Sequence, residues 1–272
     1  MKQRIITAII LGIVAVPICI FSGTVIFPIA MAFIGVVGVW ELLGCMGTRK
    51  HKYLTIPLCA LAVVSPFAVR CFGDQLGSIS DKIMSGLLCF ALYLLGAWVF
   101  SYEKNQKVDM TPVISSAAIA LYIIGATSCI VLIRDIPFGE FYWYFIFIGA
   151  WVTDTFAYFS GMLFGKHKLI PAVSPKKTVE GAIGGTIFCV AFFIGYGAIV
   201  NHFTESDISL VLVGVAGLVA ALVSMIGDLS MSVIKRTYGI KDYGKIFPGH
   251  GGVLDRFDSI LAVSVVLALI LA

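Results

Sequence analysis

Residues 208–231 read Ile208-Ser-Leu-Val-Leu-Val-Gly-Val-Ala-Gly-Leu-Val-Ala-Ala-Leu-Val-Ser224-Met-Ile-Gly227-Asp228-Leu-Ser-Met231. About 20 mostly apolar residues are enough for an α-helix to cross the hydrocarbon core of a bilayer. The only charged residue in this run is Asp228, close to its end. The many Gly, Ala and Ser residues let helix backbones approach each other closely within lipid. The run therefore predicts a transmembrane helix that carries a carboxylate.

The composition of the whole chain indicates the same class of protein. Of its 272 residues, 60% are hydrophobic and only 12% are charged, whereas about a quarter of a soluble domain is charged. This excludes a soluble globule and a disordered chain, and the seven cysteines include no C-x-x-C pair typical of a zinc module. We predict an all-α, polytopic integral membrane protein with about nine transmembrane helices. The apolar runs are 5–21, 24–44, 53–69, 83–100, 112–133, 141–164, 180–200, 208–231 and 256–272.

These runs suggest a division of the chain into three parts. We expect N-terminal helices over 1–75, a middle pair over 76–138 that is compatible with dimer contacts, and a catalytic part over 139–272.

The positive charges are distributed unevenly between the two sides that nine spans would create. The segments 1–4, 45–52, 101–111, 165–179 and 232–256 hold 16 of the 19 Lys and Arg residues. The opposite side holds only Arg70, Lys82 and Arg134. Cytoplasmic loops of membrane proteins are enriched in Lys and Arg. We therefore expect an inner-membrane protein with its N-terminus and basic loops in the cytoplasm and its C-terminus outside.

Three carboxylates are predicted to meet at one level of the membrane. Asp228 lies near the end of one apolar run, and Asp255 and Asp258 begin the next run, three residues apart and hence on one helical face. Because the connecting loop is short, their mutual repulsion would require a cation, and Mg²⁺ binds few carboxylates and completes its shell with phosphate oxygens and water. The alternative is that Asp255 and Asp258 only favour a helix N-terminus, which would leave Asp228 unexplained.

Two further acidic residues lie within apolar runs, where charge is costly and usually marks function. Asp154 lies deep in its run, with Tyr158 four residues later on the same helical face. Its alternative role is that of a structural carboxylate bonded to a neighbouring helix. Glu41, beside Trp40 near the end of its run, is either interfacial or functional.

A basic, glycine-rich loop separates the two runs that carry the three carboxylates. Lys and Arg supply countercharge to phosphates, and glycines let backbone N–H groups approach phosphate oxygens. The alternation of acid, base and glycine therefore favours binding of a polyphosphate–metal complex. The alternative is that the basic residues only satisfy the positive-inside rule and contact anionic lipid. The residues are Lys235, Arg236, Lys241, Lys245 and Arg256, with Gly249-His250-Gly251-Gly252 between them.

A second basic segment precedes the seventh apolar run. Ser174 followed by Pro175 fits an N-cap with proline at the first helical position, and Lys176 and Glu180 would then form an i,i+4 pair. The N–H groups of this helix start would provide an anion site. The alternative is a capped helix start with interfacial lysines.

The stretch from Ser232 to Asp258 resembles the signature of phosphatidate cytidylyltransferases (CDP-diglyceride synthases). That signature runs S-x-apolar-K-R, four free positions, K-D-x-small, two free positions, apolar-P-x-H-G-G and then D-R-apolar-D, and every fixed position is met over 27 residues. Specific similarity covers about residues 150–260. Its other motifs are Asp154 with Tyr158, the segment from Ser174 to Gly181, and Gly227-Asp228.

The resemblance implies a Mg²⁺-dependent reaction of CTP with phosphatidic acid, which gives CDP-diacylglycerol and pyrophosphate in phospholipid biosynthesis. The attacking lipid phosphate is already anionic, so metal and Lys/Arg donors that offset charge repulsion would provide the catalysis. The implied partners are CTP, phosphatidic acid, the bilayer and a second copy of the chain in a homodimer, with no nucleic acid among them. The pattern leaves open a second metal ion of undetermined identity.

The same resemblance implies roles for individual residues. Asp228 and Asp255 would bind the metal, while Asp154 and Asp258 would support the same acidic centre, and Lys241 belongs to the catalytic set. The residues that would bind phosphates, nucleotide or lipid are Tyr158, Ser174, Lys176, Lys177, Thr178, Lys235, Arg236, Lys245, His250, Gly251, Gly252 and Arg256.

One position departs from the family pattern, and two other functions stay open. Met231 stands where many relatives have an acid, so any tuning of the metal by that acid is missing here.

A related CTP-dependent lipid kinase would release CDP rather than pyrophosphate. An ion-coupled transporter would also use intramembrane carboxylates, but the sequence lacks the paired broken helices that favour transport.

Overall fold

The described part of the chain is a bundle of long helices. A computed structural model describes residues 12–72, 110–204, 207–249 and 251–271. Residues 12–20 are helical, and six further helices are long and apolar enough to cross a membrane. The prediction of an all-α, polytopic membrane protein is therefore confirmed. The long helices are α1 (Ile26–Cys45), α2 (Lys52–Phe72), α3 (Met110–Asp135), α4 (Gly139–Phe164), α5 (Val179–Thr204), α6 (Leu210–Thr237) and α7 (Leu254–Leu271).

Each apolar run that falls within the described residues forms a helix. The run 83–100 lies outside them, and the run 5–21 lies only partly inside. The number nine and the three-part division of the chain therefore stay predictions. The last helix, α7, differs from the six counted spans because Asp255, Arg256 and Asp258 lie in its first two turns.

Two apolar clusters divide the bundle along its length. One combines the first half of α1 and the last half of α3 with α4 to α7, and includes Phe27, Ile133, Trp143, Phe193 and Leu267. The other combines the last half of α1 with the first halves of α2 and α3, and includes Leu42, Leu54, Ile123, Met231 and Tyr243. α1 and α2 are antiparallel, whereas α2 and α3 run in the same direction, since their first halves share one cluster and Arg70 near the end of α2 bonds to Asp135 at the end of α3. The ends of α1 and α6 lie at the same end of the bundle as the start of α7.

The helix predicted to begin at Ser174 begins later, and a hairpin precedes it. Thr178 is the N-cap of α5, because its Oγ1 accepts a hydrogen bond of 3.1 Å from the amide of Gly181. Ser174 is not a cap because it pairs with Ile170 in the hairpin and is followed by strand rather than helix. The antiparallel strands are β1 (Lys168–Ile170) and β2 (Ser174–Thr178), with Lys168 opposite Thr178 and Ile170 opposite Ser174.

The predicted pair of Lys176 and Glu180 is wrong for the same reason. Lys176 lies in β2, so the two residues are not one helical turn apart. Glu180 instead contacts His167, whose ring Nδ1 lies 2.6 Å from its Oε1 and whose amide donates to its carboxylate. This pair closes the hairpin onto the first turn of α5.

Glycines allow α4 and α5 to cross closely. A Cβ at Gly181 would lie 2.6 Å from the carbonyl oxygen of Ala157, and a Cβ at Gly185 would lie 2.7 Å from that of Thr153. Small residues four positions apart are the usual means of close helix contact in membranes. The crossing brings the start of α5 against the part of α4 that carries Asp154.

Candidate active site

Three carboxylates from three helices form an acidic cluster. Asp154 of α4, Asp228 of α6 and Asp258 of α7 are close enough to repel one another electrostatically. The contact between α6 and α7 is tight here, since a Cβ at Gly227 would lie 3.1 Å from the carbonyl oxygen of Asp258. Ser259 also donates a hydrogen bond of 3.3 Å to Asp154. The sequence prediction that Asp154, Asp228 and Asp258 lie together agrees with this placement.

One ammonium group lies against the acidic cluster. Lys177, the residue before the N-cap of α5, forms an ion pair with Asp228 and also attracts Asp154. Ser232, one turn after Asp228, lies 3.4 Å from the other oxygen of that carboxylate. Lys235 also attracts Asp258 but is itself paired with Asp255. Among the described residues, two ammonium groups thus face four carboxylates, so the site retains an excess of negative charge that would attract a further cation.

Asp255 lies in a different environment from the other three carboxylates. One oxygen accepts from the Nζ of Lys235 at 2.7 Å, and the other accepts from the amides of Tyr243 at 2.8 Å and Gly252 at 3.0 Å. Its side chain is only 2% exposed. Asp255 therefore joins the end of α6, the start of α7 and the loop between them, and its predicted role as a metal ligand stays a prediction.

The amides of the glycine-rich turn are engaged within the protein. Gly251, with a φ of +89°, pairs its backbone with Phe247 through hydrogen bonds of 3.0 and 3.1 Å, and Gly252 donates to Asp255. We expected these N–H groups to approach phosphates, but the structure uses them to shape the loop. His250, predicted to bind substrate, lies outside the described residues.

The loop encloses a polar cavity of about 600 Å³ at the end of the bundle. Its lining includes three cations, Lys241, Lys245 and Arg256, and one acid, Asp242. In the described part of the chain, none of the three cations forms an ion pair with a carboxylate. The size is within the usual range for ligand sites, and the unpaired cations suit an anionic ligand.

Four predicted substrate-binding residues lie outside this cavity and the acidic cluster. Tyr158 is 67% exposed and packs its ring against Phe159. Ser174 and Lys176 lie in the hairpin, and Arg236 is exposed near the end of α6. Their predicted roles stay predictions, as does that of Thr178, which the structure uses as a helix cap.

Two features of the site were not identified from the sequence. A π-helical turn, Ile148–Val152, comes directly before Thr153 and Asp154 and rotates the rest of α4; such turns are frequent at functional sites but have no sequence signature. The second feature is Glu41, which is buried and bonded to the start of α7. The sequence drew attention to Glu41 because it is a charged residue within an apolar run. That observation alone could not distinguish an interfacial glutamate from a functional one.

Met231, the position that departs from the family signature, contacts the loop 238–253 through Tyr243. Met231 is 3% exposed, and the hydroxyl of Tyr243 donates to its carbonyl oxygen at 2.9 Å and lies 3.6 Å from its sulfur. The residue therefore packs the loop against α6.

A cluster of carboxylates and a cation-lined cavity at the same end of a membrane-spanning bundle are typical of an integral membrane enzyme that handles phosphorylated substrates. Comparison with known proteins identifies the family. The sequence model of the cytidylyltransferase family matches residues 2–272, so the chain belongs to that family and is a nucleotidyltransferase.

Similar curated proteins cover the whole chain. The phosphatidate cytidylyltransferase of Staphylococcus saprophyticus is 35% identical over 275 residues, and that of Staphylococcus haemolyticus is 33% identical over 273 residues. The phosphatidate cytidylyltransferase of Staphylococcus aureus is 31% identical over 285 residues. Each alignment covers 100% of this chain and 99% of the relative.

Proposed function

We propose that this protein transfers CMP from CTP to phosphatidic acid, giving CDP-diacylglycerol and pyrophosphate. The observation that carries the proposal is that the acidic cluster lies at the same end of the bundle as a cavity lined by unpaired Lys241, Lys245 and Arg256, with Asp258 and Arg256 both in the first turns of α7. The names of the similar Staphylococcus proteins support the choice of substrates.

The chemistry requires charge compensation more than proton transfer. An oxygen of the lipid phosphate attacks the α-phosphorus of CTP, and the bond from that phosphorus to the pyrophosphate oxygen breaks. The lipid phosphate is already anionic, so no general base is needed. Lys241, Lys245 and Arg256 would hold the triphosphate and offset the charge that develops on pyrophosphate, because charge-assisted hydrogen bonds to phosphate are strong.

The residues at the site suit Mg²⁺. As the family resemblance implies, Asp228 and Asp255 would hold it, with Asp154 and Asp258 supporting the same negative centre, because carboxylate oxygens are ligands that Mg²⁺ prefers. Both oxygens of Asp255 are bonded to Lys235 and to the amides of Tyr243 and Gly252, so metal binding by Asp255 would require it to exchange at least one of these bonds. In the described residues no three His, Cys, Asp or Glu side chains converge tightly enough to hold a metal alone, so phosphate oxygens and water would complete the shell. The ion would supply charge neutralisation at the phosphates. A second metal ion is compatible with the four carboxylates.

The proposal includes an orientation. The end of the bundle with the acidic cluster would face the cytoplasm, with the C-terminus outside, because 16 of the 19 Lys and Arg residues lie in segments assigned to that side. CTP would then enter the cavity from water, and phosphatidic acid would reach the same level from the inner membrane leaflet. We also propose a homodimer, as the family resemblance implies.

The test is a product assay with the purified protein in lipid nanodiscs. With labelled CTP, phosphatidic acid and Mg²⁺ we expect CDP-diacylglycerol and an equal amount of pyrophosphate. Chelation of the metal should stop the reaction, and added Mg²⁺ should restore it. Release of CDP with phosphorylated lipid would indicate a lipid kinase instead, and absence of both products while a similar Staphylococcus protein is active would refute the proposal.

A further inference from the structure

Glu41 is a buried carboxylate that reaches the signature loop from the other half of the chain. It lies in the last turns of α1 and is 3% exposed. Its Oε1 accepts from the amide of Val253 at 3.1 Å, and its Oε2 accepts from the amide of Leu254 at 2.9 Å. These bonds join positions more than 200 residues apart in the sequence.

Glu41 has no countercharge within ion-pair distance among the residues that the structure describes. Arg49, which follows α1, donates to the carbonyl oxygen of Trp40 instead. A buried carboxylate without an ion pair is costly; the two amides compensate this one by direct hydrogen bonds, and Arg49 adds a weaker attraction from beyond ion-pair distance. An interfacial glutamate would need neither burial nor these bonds, so the interfacial interpretation does not explain its position.

The two amides that Glu41 binds belong to the start of α7. The first N–H groups of a helix have no partner within the helix, and here a side chain of another helix supplies the acceptor. Asp255 binds the amide of Gly252 directly before them. Three consecutive amides, from Gly252 to Leu254, are therefore held by two carboxylates that come from opposite ends of the sequence.

Two glycines of the loop pack directly on the carboxylate of Glu41. A Cβ at either Gly244 or Gly252 would collide with that carboxylate, and the two glycines also lie close together, since a Cβ at Gly244 would be 3.1 Å from the Cα of Gly252. A side chain at either position would therefore displace the carboxylate of Glu41 from its bonds to the loop. The carboxylate thus contacts the loop at two points. Gly244 directly precedes Lys245, and Gly252 is four residues before Arg256.

We propose that Glu41 is a positioning residue of the reaction: it holds the loop 238–253 so that Lys241, Lys245 and Arg256 face the cavity. It acts through these cations and does not touch the substrate. The inference rests on the proposed function, since the cavity is assigned to CTP there. It makes the N-terminal part of the chain a direct support of the active site.

The experiment compares Glu41→Gln and Glu41→Ala with Ser264→Ala in the full-length protein in nanodiscs. Ser264 is a matched control, because it is buried in α7 and bonds to the carbonyl oxygen of Ala126 at 3.0 Å, far along the helix from the loop. Misplaced binding groups should raise the KM for CTP by about ten- to a hundredfold. We expect a larger increase for Ala than for Gln, an unchanged KM for phosphatidic acid, and wild-type values for Ser264→Ala.

A second readout does not depend on activity. Trypsin cleavage after Lys245, followed by mass spectrometry, should be faster in both Glu41 variants than in the control, because the loop has lost its anchor. An unchanged KM for CTP, with any loss of rate explained by fewer folded molecules, would overturn the proposal, as would cleavage at the control rate. If the wild type makes no CDP-diacylglycerol, the proposed function fails, whereas the cleavage result still tests the anchoring.

Discussion

The two ends of the helical bundle both carry charged groups, but among the described residues these groups are paired differently at the two ends. At the end opposite the acidic cluster, the guanidinium of Arg70 bonds to Asp135 at 2.6 and 2.8 Å and also donates to the carbonyl oxygens of Thr24 and Ser22. Arg134 donates to the hydroxyl of Ser22 at 3.0 Å. These bonds connect the chain before α1 with the ends of α2 and α3, and they leave the cation of Arg70 saturated.

At the end with the acidic cluster, some carboxylates and some cations both lack a partner of opposite charge among the described residues. Asp154 and Asp228 share the ammonium of Lys177, and Asp258 is attracted by Lys235, which is itself paired with Asp255. Lys241, Lys245 and Arg256 line the cavity without an acidic partner in the part of the chain that the structure describes. Saturated ion pairs hold helices together, whereas unsaturated ones retain the capacity to bind a ligand. The difference assigns a structural role to one end and a functional role to the other.

The sharpest test of this comparison replaces one carboxylate at each end. Asp228→Asn should lower turnover by about a thousandfold or more, as removal of a group that stabilises the transition state does. Asp135→Asn should leave turnover per folded molecule within about threefold of wild type, because Asp135 serves only the clamp with Arg70. Formation of CDP-diacylglycerol from labelled CTP measures both, and a near-wild-type rate in Asp228→Asn would contradict the assignment.

The next test removes an unpaired cation of the cavity. Arg256→Ala should raise the KM for CTP by about ten- to a hundredfold, because hydrogen bonds to charged groups contribute about 1.5–3 kcal/mol. Arg256→Lys should recover only part of the affinity, since an ammonium lacks the planar fork of the guanidinium. Lys168→Ala, in the exposed hairpin, is the control with unchanged KM. Equal effects of Arg256→Ala and Lys168→Ala in steady-state kinetics would show that the cavity has no special role.

A third change breaks the saturated end. Arg70→Met should lower the free energy of unfolding by about 1–3 kcal/mol, a value below that of a fully buried pair because both side chains are partly exposed. The melting temperature in detergent should fall, while the KM for CTP stays at the wild-type value. The double variant Arg70→Met with Asp135→Leu should recover part of the loss. An altered KM for CTP without a change in melting temperature would contradict the structural role assigned to the Arg70 end.

The smallest effect is expected at Met231. Met231→Glu introduces the acid that the family resemblance leads us to expect at this position, and we expect turnover within about threefold of wild type, as for most substitutions outside the reacting groups. The hydroxyl of Tyr243, 3.6 Å from the sulfur of Met231, is available to an acid at this position. A loss of turnover comparable with that of Asp228→Asn would show that this position controls the acidic cluster directly.

The local patterns of the sequence predicted the helices well, because a membrane helix must satisfy its backbone internally and bury a continuous apolar run. They predicted the start of α5 poorly. Ser174-Pro175 and Thr178 both carry cap-forming residues, and only the pairing of β2 with β1 decides between them.

The acidic cluster was predictable for a related reason, since charges in an apolar chain are conspicuous. The partner of each charge was not. Lys177 binds Asp228 and Lys235 binds Asp255, and neither pair follows from spacing, because each depends on how two helices pack.

Composition and local residue order are enough to show that the chain crosses a membrane many times, which of its segments carry excess positive charge, and which residues match a cytidylyltransferase signature. The packing of the helices, by contrast, reveals that the amides of Gly251 and Gly252 bond to Phe247 and Asp255, and that Glu41 supports the loop from α1. Hydrogen bonds between residues 200 positions apart depend on the arrangement of the helices in space, and no local pattern records that arrangement.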